Sequence, residues 1–254
     1  MSEGWRARMV KAVLIALFMV LAAAPAYALD GAAILKKVDR NLEPESYESY
    51  RKLINIEPDG SEKDYILFTV KKGRDKLLAL FTSPASENGR STLRLGDNMW
   101  LYVPEVGKPI RINSLQSVIG GVFNNADILR LDYSVEYKVE SAEETSNDQY
   151  LLSLKAASDA VAYDRLKMWV DKSKLLPTKI EAYAASGLLI KTLTFSQIKD
   201  FGGGIVRPAM VTTDSPLYKG YKSVMLYAGV KARALPDEVF TLDFMPRAGS
   251  LQPR

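Results

Sequence analysis

The sequence predicts a mainly β protein, built on a single antiparallel barrel or a strongly curved sheet. About twelve or thirteen strand-length runs follow one another at hairpin spacing, separated by turn residues. Helical periodicity is confined to one stretch near the start and one irregular interruption. Several strands are apolar on both faces, whereas a sheet with one wet face alternates apolar with polar. The clearest is 98–103, entered by Gly96-Asp97 and stopped by Pro104. Side chains alternate along a strand, so Met99, Leu101 and Val103 point one way and Trp100 and Tyr102 the other. We expect the first set to face the interior.

Residues 1–28 have the form of a signal peptide. Arg6, Arg8 and Lys11 precede an apolar run over 12–24, and Ala26-Tyr27-Ala28 is a small-x-small cleavage site. The run is shorter than the roughly 20 residues that span a bilayer. Cleavage after Ala28 leaves residues 29–254 as one domain, with a retained N-terminal anchor as the alternative. These features predict a periplasmic protein.

Asp30 opens a helix to about Leu42, with Ile34, Leu35, Val38 and Leu42 on one stripe. Strands are predicted over 47–57 and 62–71, joined by the turn Pro58-Asp59-Gly60-Ser61. Further strands cover 74–83, 90–95, 98–103 and 108–112. Residues 114–131 break the rhythm with Gly120-Gly121 and a run of apolar residues, read as short helices over an open face. Strands resume over 133–140, 149–156, 163–171, 178–185, 188–196, 205–213 and 219–228. Residues 235–240 read as a short helical turn.

The composition narrows the chemistry. The chain has neither Cys nor His, which removes Ser-His-Asp and Cys-His catalysis, disulfides, and zinc sites built on those residues. No phosphate-binding glycine loop is present. The net charge is +4, and loss of Arg6, Arg8, Lys11 and Glu3 leaves a nearly neutral chain with no argument for nucleic acid. We therefore expect no enzyme, no catalytic residue, no metal and no cofactor.

Alternating apolar sets offer a cavity lining: Ile66, Phe68 and Val70; Leu78 and Leu80; Met99, Leu101 and Val103; Leu166, Met168 and Val170. Ile180, Ala182 and Ala184, with Leu189, Leu193 and Phe195, continue the pattern. The alternative is a core filled by the protein's own side chains. A large sheet with little helix favours a hollow interior, and Met99, Met168, Met210 and Met225 suit a deformable lining. Two basic groups, Lys71-Lys72-Arg74-Lys76 and Lys172-Lys174-Lys179, read as solvated turns or edge protection, with anionic lipid or an acidic partner as the other reading. Asp127 and Asp132 read as capping or turn residues rather than an acid/base pair.

The run 96–104 followed by Pro109-Ile110-Arg111-Ile112 resembles the centre of the outer-membrane lipoprotein-sorting proteins of LolA/LolB-like fold. Phe81-Thr82-Ser83-Pro84 with Gly89, Trp169-Val170-Asp171-Lys172, Leu176-Pro177-Thr178-Lys179 and Val239-Phe240-Thr241 match in order over most of 45–246. The resemblance implies an incomplete antiparallel β-barrel with a helical lid over an apolar cavity for acyl chains of a lipid or lipoprotein. It also implies an inner-membrane lipid exporter of RND/MMPL type as partner, and a monomer. Lid residues would be Ile34, Leu35, Val38, Ile119, Phe123, Ile128 and Leu129. In the lid, Phe123, Asp127 and Asp132 fit the family pattern, but its Gly and first Tyr are missing, which leaves the ligand open. The same fold also serves in envelope-stress sensors, so a sensor or adaptor that binds a signal without transport is the alternative.

Overall fold

A computed structural model of the protein describes residues 29–253 except Val118; the expected signal peptide and its cleavage site lie outside them. The first element is helix α1 (Gly31–Leu42). Six strands follow: β1 (Ser46–Ile56), β2 (Glu62–Lys72), β3 (Lys76–Ser83), β4 (Ser91–Leu95), β5 (Asn98–Tyr102) and β6 (Ile110–Ile112). Two one-turn helices interrupt, α2 (Asn125–Ile128) and α3 (Tyr133–Glu136). Seven more strands complete the sheet: β7 (Tyr137–Glu144), β8 (Gln149–Ala156), β9 (Arg165–Asp171), β10 (Pro177–Tyr183), β11 (Leu189–Asp200), β12 (Val206–Asp214) and β13 (Lys222–Ala232).

All 13 strands form one sheet in the order β6-β5-β4-β3-β2-β1-β13-β12-β11-β10-β9-β8-β7. Two antiparallel meanders therefore meet where β1 pairs with β13. The edge strands β6 and β7 do not pair with each other, so the barrel is incomplete. They are nonetheless neighbours in sequence. The chain that joins them, residues 113–136, leaves one edge of the sheet and arrives at the other.

The registers fix which side chains share a face. Arg51 lies opposite Leu67, Leu67 opposite Phe81, and Ala79 opposite Thr92, which faces Leu101. On the other meander Leu154, Leu166, Ala182 and Lys191 form one row, and Leu152, Met168, Ile180 and Leu193 another. These rows form the inner face. Helix α1 packs there, with Ile34, Leu35, Val38 and Leu42 buried. A Cβ on Gly31 would come within 2.7 Å of Val139 Cγ1 and 2.8 Å of Ala142 Cβ, so a glycine lets the helix start against β7.

The outer face differs between the two meanders. Over β2–β5 it is sealed by residues 235–251, which run through the 3-10 helices Asp237–Phe240 and Leu242–Leu251. Phe240, Phe244, Met245 and Leu251 pack there on Phe68, Val70, Leu78, Leu80 and Leu93. Strand β3 thus lies between two layers, and Leu77 to Phe81 are all buried. Over β9 the outer face is wet: Arg165 and Lys167 are exposed while Leu166 and Met168 are buried.

Two expectations need correction. Residues 133–136 form the helical turn α3 before β7, not the start of a strand, because the buried Asp39 carboxylate accepts the backbone N–H groups of Tyr133 (2.8 Å) and Ser134 (2.9 Å). An acceptor at the free N–H groups of a helix start favours the turn over extended chain. The tail also continues beyond Phe240 into a second 3-10 helix.

Candidate functional site

The connection 113–136 forms a cover over the inner face, and its sequence explains its shape. Asn124 and Asp127 make a reciprocal capping box: the Asn124 side chain accepts from Asp127 N at 3.1 Å, and Asp127 Oδ2 accepts from Asn124 N at 3.0 Å. A one-turn helix leaves its last carbonyls without intrahelical donors, and buried carbonyls require partners. Three buried cations from three strands supply bonds to this cover. Arg51 of β1 donates to Ile128 O at 3.0 Å, and Arg94 of β4 to Leu129 O at 3.1 Å. Lys191 of β11 donates to Val122 O at 2.5 Å and to Asp127 Oδ2 at 2.8 Å. Tyr163 OH donates to Asp127 Oδ1 at 2.9 Å. Val122 N in turn donates to Ser223 Oγ at 2.9 Å. At the start of the cover, a Cβ on Gly121 would lie 2.1 Å from Asn55 Oδ1, so a larger residue would push the Asn55 amide off its bonds with Ile119 O and Ser223.

A second polar group lies between α1 and the cover. Glu43, which directly follows α1, accepts from Lys71 at 3.1 Å and from Arg130 at 2.7 Å. Lys71 also donates to Asp132 at 2.6 Å. Burial pushes the Glu43 carboxyl up, but Arg130, Lys71, Arg207 and Arg51 outweigh it and hold it well below the usual carboxylate range. Arg94 pairs with Glu136 at 2.5 Å. Burial pushes the Glu136 carboxyl up despite that partner, and Asp39 is raised by burial against its bonds from Ser134.

Between cover and sheet lies a small cavity of about 50 Å³. Its walls include Leu166, Ile180, Leu193, Val211 and Met225 from the sheet and Phe123 from the cover. Apolar side chains predominate in its lining, with Asp127, Arg130, Glu136 and Arg207 as the charged groups.

The expected lining residues divide between two layers. Leu166, Met168 and Val170 lie on the inner face, as do Met99 and Leu101, with Leu101 beside a smaller cleft under the cover. Phe68, Val70, Leu78 and Leu80 lie on the opposite face, buried under the C-terminal segment, with Trp100 and Tyr102 packed on the same cluster. Ile66 shares that outer parity and is 39% exposed. These residues therefore do not line one cavity with the β9 set, because the inner parity on β2 belongs to Leu67, Thr69 and Lys71. Val103 lies just past β5, where its carbonyl accepts from Val106 and Gly107. Of the expected lid residues, Ile34, Leu35 and Val38 are buried on α1, and Phe123, Ile128 and Leu129 are buried in the cover. Ile119 occupies a turn with φ 54°.

Asp127 and Asp132 do not form a pair: one meets Lys191, the other Lys71 and Arg74. Lys71, read from the sequence as a surface cation, is buried. Sequence reading also missed Arg51, Arg94, Lys191 and Arg207 as interior groups. Their one signal is parity, since each occupies the inward position of its strand, as Arg51 does in Tyr47-x-Ser49-x-Arg51-x-Leu53.

The described residues thus form a curved, unclosed antiparallel sheet with an internal helix and a cover latched by buried cations. The chain belongs to the LolA superfamily. A crystal structure of a LolA superfamily protein from Nitrosomonas europaea matches with TM-score 0.76 and 31% identity, over 85% of this chain and 100% of that one. A putative outer membrane lipoprotein-sorting protein domain from Vibrio parahaemolyticus (TM-score 0.74, 19% identity, 85% and 98% coverage) shares the fold. So does a DUF1329 family protein from Desulfovibrio piger (TM-score 0.74, 23% identity, 85% and 97% coverage). A family profile described as "Uncharacterized protein" matches residues 73–247. No curated protein matches the sequence.

Proposed function

We propose that this protein is a periplasmic, non-enzymatic carrier that shields acyl chains of a lipid or lipoprotein between its inner face and its cover, and ferries them between membranes. The observation that carries this reading is the latch: Arg51, Arg94 and Lys191, on three different strands, each bond a carbonyl of one short segment over an apolar wall. A cover held by a few directional bonds closes in one geometry and releases as a unit. Burying an acyl chain is worth about 0.8 kcal/mol per CH₂, so a dozen methylenes contribute roughly 10 kcal/mol. Three hydrogen bonds from charged donors contribute about 1.5–3 kcal/mol each. Closure and ligand therefore compete, which a carrier needs in order both to load and to release. The lipoprotein-sorting description of the Vibrio parahaemolyticus domain supports the same reading.

In this proposal the signal peptide is cleaved after Ala28, residues 29–254 act as one monomeric domain, and an inner-membrane lipid exporter of RND/MMPL type hands over the ligand. Gentle purification from the envelope, lipid extraction and mass spectrometry should recover a bound acyl lipid, and the stripped protein should take up a fluorescent fatty-acid analogue. A lipid-free protein that takes up no analogue overturns the carrier reading.

A further inference from the structure

One buried group in the pocket is not used by the latch. Arg207 of β12 is 1% exposed and lines the pocket beside Arg130 and Tyr227. Its Nη1 is buried and has no hydrogen-bond partner among the described residues. Its nearest carboxylate oxygen is Glu43 Oε1 at 3.7 Å, beyond hydrogen-bonding range and already taken by Arg130 at 2.7 Å. Its Nε reaches only the adjacent Pro208 O at 3.4 Å. The other two buried arginines of the sheet have a bond on every guanidinium nitrogen. Arg51 bonds Ser49, Ile128 O and Tyr47, and Arg94 bonds Gly96 O, Leu129 O and Glu136.

The charge count points the same way. The interior cations are Arg51, Lys71, Arg94, Arg130, Lys191 and Arg207, and the interior carboxylates are Asp39, Glu43, Asp127, Asp132 and Glu136. One cation is in excess. The two carboxylates that line the pocket, Asp127 and Glu136, are committed to Lys191 and Arg94. The Tyr227 ring lies 3.9 Å from the Arg207 guanidinium and 5.1 Å from that of Arg51. Burial pushes the Tyr227 phenol up, yet Arg51 and Arg207 overcome it and the net shift is downward. A buried guanidinium with an unmet donor is costly, and an oxyanion is the group its planar fork matches. Most of the remaining wall is apolar.

We infer that the ligand is an anionic amphiphile, an acyl chain bearing a carboxylate or phosphate, and that Arg207 binds its oxyanion inside the pocket. This deepens the carrier reading and rests on it. A neutral chain occupies the apolar wall but leaves Arg207 Nη1 without a hydrogen bond; an ionised one satisfies both.

Equilibrium dialysis of the stripped protein at pH 8 with tetradecanoate, tetradecyl phosphate and tetradecanol, below their aggregation limits, tests it. Both anions should bind at least about tenfold more tightly than the alcohol, as expected for charge-assisted bonds. Arg207→Gln should bring acid and alcohol to within about twofold of each other. Arg207→Lys, which keeps the charge in the core if the glutamine variant does not fold, should reduce the preference by losing the fork. Inorganic phosphate should not displace tetradecyl phosphate. Equal binding of acid and alcohol by the wild type overturns this inference and leaves the carrier reading standing. So does a preference that both variants retain. Displacement by free phosphate at similar concentration makes the site one for small anions and also overturns it. Binding of none of the three chains overturns the carrier reading together with the inference.

Discussion

The sheet is covered twice, by two kinds of contact. On the outer face of β2–β5 the C-terminal segment packs Phe240, Phe244, Met245 and Leu251 onto an apolar wall. On the inner face the 113–136 segment also buries apolar side chains such as Phe123, Ile128 and Leu129, but adds bonds from Arg51, Arg94, Lys191 and Tyr163. Apolar packing is strong but undirected, and gains nothing from partial opening. Bonds to backbone carbonyls are directional and few, so they specify a closed geometry without sealing it permanently. In the proposed carrier one cover is wall and the other door, although both are short irregular segments of similar apolar content.

The largest effect belongs to the wall. Phe240→Ala should cost about 3–5 kcal/mol, the range for emptying a buried aromatic site, read as a lower urea midpoint, with no gain in uptake of a fatty-acid analogue. Improved uptake would mean that the C-terminal segment is the moving part and would reverse the comparison.

Glu43→Gln comes next, at roughly 3 kcal/mol, because it leaves Lys71 and Arg130 without their shared buried anion. Its pH dependence has a definite sign. The folded carboxyl is depressed from its ordinary 4.5, so its stabilisation is present above that value and is lost as pH falls toward the folded pKa. Asp39 and Glu136 are raised, so acidification from neutral pH adds stability through them before Glu43 is lost. Urea midpoints should therefore rise on mild acidification and fall below about pH 4.5. In Glu43→Gln the fall should be shallower; an unchanged acid limb would show that Glu43 does not control it.

Asp127→Asn acts on the door alone. Losing the carboxylate that Lys191 and Tyr163 hold should cost up to about 3 kcal/mol, because it leaves the buried Lys191 ammonium without its anion. Its signature is local: faster amide exchange over residues 119–131 and little change in β1–β3. Uniform acceleration across the sheet would mean that the cover is part of the core.

The strand rhythm was legible because it depends on local chemistry. Strand β8 falls where the alternation puts it, over 149–156, and the apolar run at 77–81 announces a strand buried on both faces. Which cover lies on which face was not legible. Phe68 and Leu67 are adjacent, both apolar and both buried, and only the pairing of β2 with β1 and β3 sends one toward the cover and the other toward the C-terminal segment.

The same limit hid the charges. Arg51, Lys71 and Arg94 look like ordinary surface cations in a hairpin-rich chain, and strand parity is the one local mark of their burial. Their partners Ile128, Asp132 and Leu129 lie 77, 61 and 35 positions away. By itself the sequence determined the class of fold, the helix before the sheet, the break at 114–131 and the exclusion of His- and Cys-based chemistry, because each follows from periodicity, turn residues or composition. The tertiary structure alone decided which apolar face is wall and which is cavity, and which cations latch the cover. Those assignments depend on register and on pairings across the sheet, which no local pattern encodes.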